Sequence, residues 1–115
     1  MKYLGSCHCG KIKFEVEGDI KEVMDCNCSM CSRRGCLLWF VPKKDFRLRT
    51  PESHLGTYTF NKHIIKHHFC KVCGIAPFSE SSDGKGNEMA AVNVRCLEDF
   101  DFSKVPVKHF NGKDY

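Results

Sequence analysis

The sequence predicts a mostly β protein: a small antiparallel β-sheet domain with one or two short helical turns, spanning residues 1–115 as one unit. Residues 11–17 alternate charged and apolar side chains without interruption, which is the period of a strand with one face on a core. No segment has the apolar spacing of a long helix between strands, so the alternation typical of parallel α/β proteins is missing. With 42% hydrophobic residues and nine Phe in 115 residues, the chain has material for one modest core.

The strands are predicted in chain order from alternation and apolar runs. In the first of them, Ile12, Phe14 and Val16 face the core while the charged residues face water. The apolar run 36–41 predicts a central strand covered on both faces and ended by Pro42. The complete set of predicted strands comprises residues 11–17, 20–25, 36–41, 54–60, 64–69, 76–80, 88–94 and 107–110.

Turns are predicted at three further places. Ser29 is suited to cap a short helical turn over residues 30–34, which Gly35 ends. Residues 97–100 predict a second turn. Residues 81–87 are Ser, Asp, Gly, Lys and Asn, a composition that favours tight turns, and they predict a hairpin loop.

Charge and hydropathy limit the kinds of partner that the protein is expected to have. No apolar run approaches the ~20 residues of a membrane span, and the N-terminus lacks the apolar region of a secretory signal. The sequence therefore predicts a cytoplasmic protein with no membrane partner. The net charge is +4 and the basic residues are scattered, the longest runs being Arg33-Arg34 and Lys43-Lys44. Without a basic stripe, no nucleic-acid partner is expected.

The nine cysteines are the strongest functional signal in the sequence. In a reducing compartment, clustered free thiols bind metal rather than form disulfides. Four ligands close a tetrahedral zinc site and three leave a position open, so seven clustered thiols predict two Zn²⁺ per chain. These seven fall into three motifs, Cys7-x-Cys9, Cys26-x-Cys28-x-x-Cys31 and Cys70-x-x-Cys73.

Two of the motifs share a glycine that suggests how the seven divide. Cys9 and Cys73 are each followed by Gly, which permits a positive φ and lets the backbone wrap a thiolate with N–H groups. We therefore predict that Cys7 and Cys9 join Cys70 and Cys73 in one closed, structural zinc site. Such a site would tie distant parts of a small domain together.

Cys26, Cys28 and Cys31 then form a second, open site. Cys26 and Cys28 are two residues apart and point the same way on extended chain, and Cys31 returns to them around the following turn. The adjacent Arg33-Arg34 pair favours thiolate and attracts an anionic ligand. An external thiol or water can fill the fourth position, so this site is predicted to be chemically open.

Other arrangements of the same residues remain open from spacing alone. Cys28 and Cys31 could join Cys70 and Cys73 in a zinc ribbon, and an iron–sulfur cluster is a further option. Cys36, Cys96 or a histidine could supply a fourth ligand to the triple, although Cys36 is better explained as a small buried apolar residue. His67 and His68 would face opposite sides of a strand, one inward and one outward, and no histidine stands in a known metal-ligand spacing.

The motifs together with their flanks resemble the glutathione-dependent formaldehyde-activating enzyme family, which includes the domain of centromere protein V. The resemblance is carried by residues 5–10, 26–35 and 69–74, and it continues in residues 92–97 and 109–112. It implies a β-tent fold of stacked sheets, a structural zinc on the four-cysteine set and a catalytic zinc on the three-cysteine set. All seven ligand positions are present.

The implied reaction is the addition of a thiol to an aldehyde, and the reverse of this addition is a carbon–sulfur lyase reaction. Glutathione or a similar small-molecule thiol adds to formaldehyde or a related aldehyde and gives the S-hydroxymethyl adduct. Two other functions compete with it: a non-catalytic zinc module that binds protein or chromatin, and a zinc or thiol buffer. Metal content and the response of the open site to thiols distinguish the three.

Overall fold

A computed structural model describes residues 1–60, 62, 64–82 and 85–112 of the chain. Across these residues ten strands form two sheets, with one short α-helix and several 3-10 turns, which confirms a mostly β fold. In the described part of the chain, no helix has the length and apolar character required to cross a membrane. The strands are β1 (Lys2–Ser6), β2 (Lys13–Glu17), β3 (Val23–Cys26), β4 (Leu38–Pro42), β5 (Phe46–Leu48), β6 (Leu55–Tyr58), β7 (Lys66–Cys70), β8 (Phe78–Ser82), β9 (Glu88–Asn93) and β10 (Val107–Phe110).

The two sheets differ in size and share one core. The smaller sheet has the antiparallel order β1-β2-β5, and the larger has the order β10-β3-β4-β9-β8-β7-β6. All described pairings are antiparallel except that of β10 with β3, which is parallel. The parallel pair brings the C-terminal strand beside the strand that ends at Cys26, one of the predicted ligands.

Three phenylalanines join the sheets across the core. Phe14 and Phe46 come from the small sheet and stack at 5.2 Å between ring centroids, while Phe46 meets Phe78 of the large sheet at 4.4 Å. The Phe14 ring also lies across Gly5 of β1, where a Cβ would collide with it. The predicted core residues Ile12, Phe14 and Val16 are at most 1% exposed, as expected from alternation.

The alternation rule fails at Glu15, which is only 5% exposed although its strand neighbours predict a water-facing position. Its carboxylate accepts a hydrogen bond from Arg49 at 2.8 Å and lies 3.4 Å from the Arg47 guanidinium and 3.8 Å from Lys2. These cations come from β1 and from the segment around β5, which flank β2 in the small sheet. Their side chains cover the outer face, so Glu15 is enclosed by its ion-pair partners rather than by apolar residues.

The predicted central strand 36–41 lies between β3 and β9, but it is not covered on both faces. Trp39 and Val41 are buried, whereas Phe40 between them is 44% exposed, so one face of β4 meets solvent. Pro42 is the last residue of β4 and pairs with Met89. An apolar run therefore predicted the strand correctly but overestimated its coverage.

The helical turn is shorter than predicted and is not capped by Ser29. The helix α1 comprises Cys31–Arg34, and its N-cap position is Met30, whose side chain makes no capping hydrogen bond. Gly35 ends the helix in the left-handed conformation with φ 70°, as predicted. Further on, residues 94–96 form a 3-10 turn followed by a turn at 98–99. β8 and β9 pair as a hairpin, but Ser81 and Ser82 of the predicted loop belong to β8 and pair with Met89 and Glu88. Residues 83 and 84 of that loop lie outside the described residues.

Candidate metal centres

Two similar backbone loops build the four-cysteine group. Cys7 follows β1 and Cys70 ends β7, and the N–H of each donates to a carbonyl five residues later, that of Ile12 and Ile75. Gly10 and Gly74 have φ values of 82° and 80°, which confirms the positive φ expected after Cys9 and Cys73. In both loops, backbone N–H groups donate to the first sulfur: Ile12 to Cys7 at 3.3 Å, and Val72 and Cys73 to Cys70 at 3.4 Å.

The sulfur spacing in this group suits a tetrahedral metal ion. The Sγ atoms of Cys7 and Cys9 are 3.7 Å apart, and those of Cys9 and Cys70 are 3.5 Å apart. A zinc ion with ~2.3 Å bonds to four sulfurs holds them ~3.8 Å from one another, whereas a disulfide brings two sulfurs to ~2.0 Å. All four Sγ atoms lie within 4.8 Å of one another, so the group can hold a metal ion.

The loop amides also bias the charge of the sulfurs. Although burial opposes it, hydrogen bonds from the backbone of Ile75 and Cys9 and from neighbouring thiols lower the pKa of Cys73 to about 6. The amides of Cys73 and Val72 lower the pKa of Cys70 as well. The pKa of Cys9 moves the other way, to about 11, because burial and three nearby thiols outweigh a hydrogen bond from Lys11. The loops thus favour thiolate at the second motif.

The three-cysteine group lies where β3 passes into α1. Cys26 is the last residue of β3 and Cys31 is the first of α1, and the three Sγ atoms lie within 4.8 Å of one another. The N–H of Cys28 donates to the Cys26 sulfur at 3.5 Å, and that of Cys31 donates to the Cys28 sulfur at 3.3 Å. Burial raises the pKa of Cys31, while the amides of Cys31 and Met30 overcome burial and lower the pKa of Cys28.

The C-terminal segment packs directly against this group. The N–H of Asn27 donates to the Phe110 carbonyl at 3.1 Å, and its side-chain amide donates to the Asn111 Oδ1 at 3.0 Å. Gly112 is buried, and a Cβ placed on it would stand 2.5 Å from the Cys26 sulfur. Sequence reasoning missed Gly112 as a site residue, because its role depends on β10 pairing with β3 more than eighty residues away along the chain.

The alternative ligand sets are not assembled in the described residues. Cys28 and Cys31 fall in a different group from Cys70 and Cys73, so the zinc-ribbon arrangement is wrong. Neither Cys36 nor Cys96 joins the triple, and burial raises the pKa of both thiols, that of Cys96 to about 12. Cys36 is a buried thiol, as predicted.

The described histidines likewise join no metal group. His67 and His68 do face opposite sides of β7, but both are buried, at 8% and 7% exposed, so the prediction that one faces outward is wrong. His68 hydrogen-bonds the Thr57 hydroxyl at 2.9 Å and the Glu80 carboxylate at 3.2 Å. His67 lies beneath the Phe60 ring, and burial, helped by the charge of Arg34, lowers its pKa.

A groove of about 620 Å³ opens beside α1, within the size range of small-molecule sites. One wall consists of Ser29 and Met30, which stand between Cys28 and Cys31 in the chain, together with Arg33 and Arg34. Arg33 is exposed and also donates to the Ser29 carbonyl at 2.6 Å, which holds its guanidinium near the turn that follows Cys28. The opposite wall belongs to β6 and β7 and the residues next to them.

The chain is similar to known proteins over nearly its whole length. A family model described as "Glutathione-dependent formaldehyde-activating enzyme" matches residues 2–113. The crystal structure of a Rhodobacter sphaeroides protein, a Northeast Structural Genomics target, is similar at 32% identity with a TM-score of 0.78. That match covers 94% of this chain and 100% of the Rhodobacter chain. The chain therefore belongs to the glutathione-dependent formaldehyde-activating enzyme family.

Proposed function

We propose that the protein catalyses the reversible addition of a thiol such as glutathione to formaldehyde, a carbon–sulfur lyase chemistry of the S-(hydroxymethyl)glutathione synthase type. Cys26, Cys28 and Cys31 are the proposed ligands of a catalytic zinc. The observation that carries the proposal is a group of three sulfurs, with no fourth protein ligand in the described residues, beside a groove lined by two arginines. Family membership supports glutathione and formaldehyde as the substrates.

The proposed addition needs no reactant besides the thiol and formaldehyde. The thiol loses its proton, its sulfur attacks the carbonyl carbon of formaldehyde, and one carbon–sulfur bond forms. The electron pair of the carbonyl π bond moves to oxygen, which takes up a proton and becomes the hydroxyl of the adduct. A zinc ion at the three-cysteine group would supply a Lewis acid that keeps an incoming thiol deprotonated near neutral pH.

The residues of this chain contribute binding and orientation. Three negative sulfurs around one divalent ion leave a net negative charge, which the amides of Cys28 and Cys31 offset by donating to the sulfurs. Arg33 and Arg34 supply positive charge on the adjacent groove wall, where the carboxylates of glutathione can reach it. The addition already proceeds without an enzyme, although slowly. Holding both reactants together is therefore the larger part of the catalysis that the protein has to supply.

The four-cysteine group has a different proposed role, that of a structural zinc site. It holds the loop after β1 to the end of β7, and these strands belong to different sheets. Four sulfurs complete a tetrahedral shell, so this site offers no position for a substrate. We propose one zinc in each group and two per chain.

The exchange of ¹³C-labelled formaldehyde with glutathione, followed by NMR, tests the proposed reaction. The zinc-loaded protein is expected to accelerate exchange between free formaldehyde and the adduct, and Cys28→Ser is expected to abolish the acceleration. Cys36→Ser is the matched control, because Cys36 is a cysteine that joins neither group. No acceleration by the wild-type protein, or equal loss in both variants, would leave a non-catalytic zinc-binding interaction module as the better account.

A further inference from the structure

The groove wall opposite α1 is a cluster of aromatic rings on one face of two strands. In the pairing of β6 with β7, Tyr58 stands opposite His67 and Gly56 opposite Phe69, so these four positions share one face. The Tyr58 and Phe60 rings stack at 5.9 Å with an interplanar angle of 20°, and Phe60 lies 5.4 Å from the His67 ring. The other face carries His68, whose ring packs on Phe78 in the core.

Gly56 allows an aromatic ring to approach the backbone closely on this face. A Cβ at Gly56 would collide with the Cζ and Cε2 atoms of Phe69, so the tip of the Phe69 ring lies against the β6 backbone at that point. Gly56 is buried beneath it. Tyr58, Phe60 and Phe69 all line the groove, and we call these three residues its aromatic floor.

This aromatic floor is not used by the proposed reaction partners. Formaldehyde contributes a single carbon with almost no apolar surface, and glutathione is a polar, anionic tripeptide. Yet Tyr58 leaves 51% of its surface exposed over the groove, beside the half-buried rings of Phe60 and Phe69. Large apolar residues in such a position favour a flat apolar ligand, because aromatic rings gain from stacking as well as from burial.

Across the groove the character changes from apolar to positive. Arg33 and Arg34 line the wall formed by α1, while the rings line the wall formed by β6 and β7. A ligand that satisfies both walls carries an anionic part and an aromatic or other apolar part. A thiol peptide conjugated through sulfur to an aromatic aldehyde has this composition.

We propose that the groove binds anionic thiol adducts whose sulfur carries an aromatic or bulky apolar group, so that larger aldehydes than formaldehyde are substrates. This rests on the proposed function for its chemistry. The thiol gives up its proton, its sulfur bonds to the aldehyde carbon, and the carbonyl π electron pair moves to oxygen, which takes up a proton. The aldehyde's ring lies on the aromatic floor. The arginines hold the carboxylates of the thiol peptide.

Calorimetric titration of the zinc-loaded protein with S-benzylglutathione and S-methylglutathione tests the inference. Both probes share the anionic peptide and lack an ionisable thiol, so the comparison does not depend on a thiolate binding to zinc. Burying the added phenyl ring predicts that the S-benzyl compound binds about tenfold more tightly. Tyr58→Ala and Phe60→Ala are each expected to remove most of that preference.

Phe40→Ala is the matched control, since Phe40 is also a partly exposed phenylalanine but lines a separate, smaller recess. It is expected to leave the preference unchanged. Equal affinities for the two probes, including no measurable binding of either, would overturn the inference, as would a preference that survives both Tyr58→Ala and Phe60→Ala. A preference without accelerated formaldehyde exchange would contradict the proposed reaction alone, and exchange without a preference would contradict the groove assignment alone.

Discussion

Gly112 illustrates how a single residue controls the space around the proposed catalytic centre. Its position places any Cβ 2.5 Å from the Cys26 sulfur, far inside normal contact distance, and 3.2 Å from the Cys28 Cβ, which is a tight contact. The C-terminal segment can approach the sulfurs this closely only because the residue has no side chain. The segment is held there by the hydrogen bonds between Asn27 and residues 110–111.

Gly112→Ala is therefore expected to weaken metal binding at the three-cysteine group by about tenfold or more, the usual effect of disturbing a ligand's surroundings. Zinc release to a chromogenic chelator measures this, with the four-cysteine group in the same molecule as the internal control. The variant is expected to release one zinc ion fast, from the three-cysteine group, and the other slowly, from the four-cysteine group. Identical release from the variant and the wild-type protein would show that the segment does not support the ligands.

The buried Glu15 gives a second prediction at this scale. Although burial opposes it, the charges of Lys2 and Arg49 and hydrogen bonds from Arg47 and Arg49 lower its pKa. A lowered folded-state pKa means that the carboxylate stabilises the fold at neutral pH and that this stabilisation is lost as the pH falls through that pKa. Glu15→Gln is expected to lower the urea midpoint of unfolding at pH 7. The decrease is expected to be smaller at acidic pH, where the carboxylate of the wild-type protein is protonated.

The control for that measurement is Glu17→Gln on the same strand. Glu17 is 58% exposed at its side chain and lies 3.9 Å from Lys2, so it retains an ion pair but little burial. Its replacement is expected to change stability by no more than ~0.5 kcal/mol. Equal effects of the two substitutions would mean that enclosure of Glu15 by its cations contributes nothing.

The sequence predicted the seven clustered cysteines because their signal is local, carried by spacings of two and three residues and by the adjoining Gly10 and Gly74. It did not predict Gly112 or the burial of Glu15. Both depend on which strands become neighbours, and alternation within one strand cannot reveal that. The sequence did not predict the aromatic floor of the groove for the same reason, because Gly56 and Phe69 meet only through strand pairing.

At the scale of elements, the two sheets contact each other through aromatic rings within one buried core. Phe46 comes from β5, a strand of three residues that the sequence did not predict because it is too short to show alternation. β1 was missed as well, since its Gly5 weakens any strand pattern. Yet Phe46 lies between Phe14 and Phe78 and so bridges the sheets.

Phe46→Ala is expected to destabilise the fold by about 3–5 kcal/mol, because it removes a ring that is 8% exposed and leaves a cavity between two others. Thermal or urea unfolding measures the change, with Phe40→Ala as the exposed counterpart. The Phe40 variant is expected to lose less than half as much. A similar loss in both variants would contradict the assignment of the core between the sheets.

At the scale of the whole molecule, the two proposed metal sites have different roles, one structural and one catalytic. The four-cysteine group links loops from different sheets, whereas the three-cysteine group lies within the turn between β3 and α1. Structural zinc contributes on the order of 10–16 kcal/mol of apparent binding energy, comparable to the total stability of a small domain, ~5–15 kcal/mol.

Cys70→Ser is consequently expected to unfold much of the chain, while Cys28→Ser is expected to keep the β structure and lose one metal ion. Circular dichroism together with metal analysis distinguishes the two outcomes. If both variants unfold alike, the division into a structural and a catalytic site is wrong.

Cobalt substitution tests the central claim, an open three-sulfur site that accepts a substrate thiol, most directly. In the Co²⁺ protein, a fourth sulfur entering this site intensifies the thiolate-to-cobalt charge-transfer absorption. Glutathione is expected to intensify it and S-methylglutathione, which has no ionisable thiol, is not, while Arg33→Glu is expected to weaken the response to glutathione. A second site that already shows a four-sulfur spectrum and does not respond to glutathione would contradict the account.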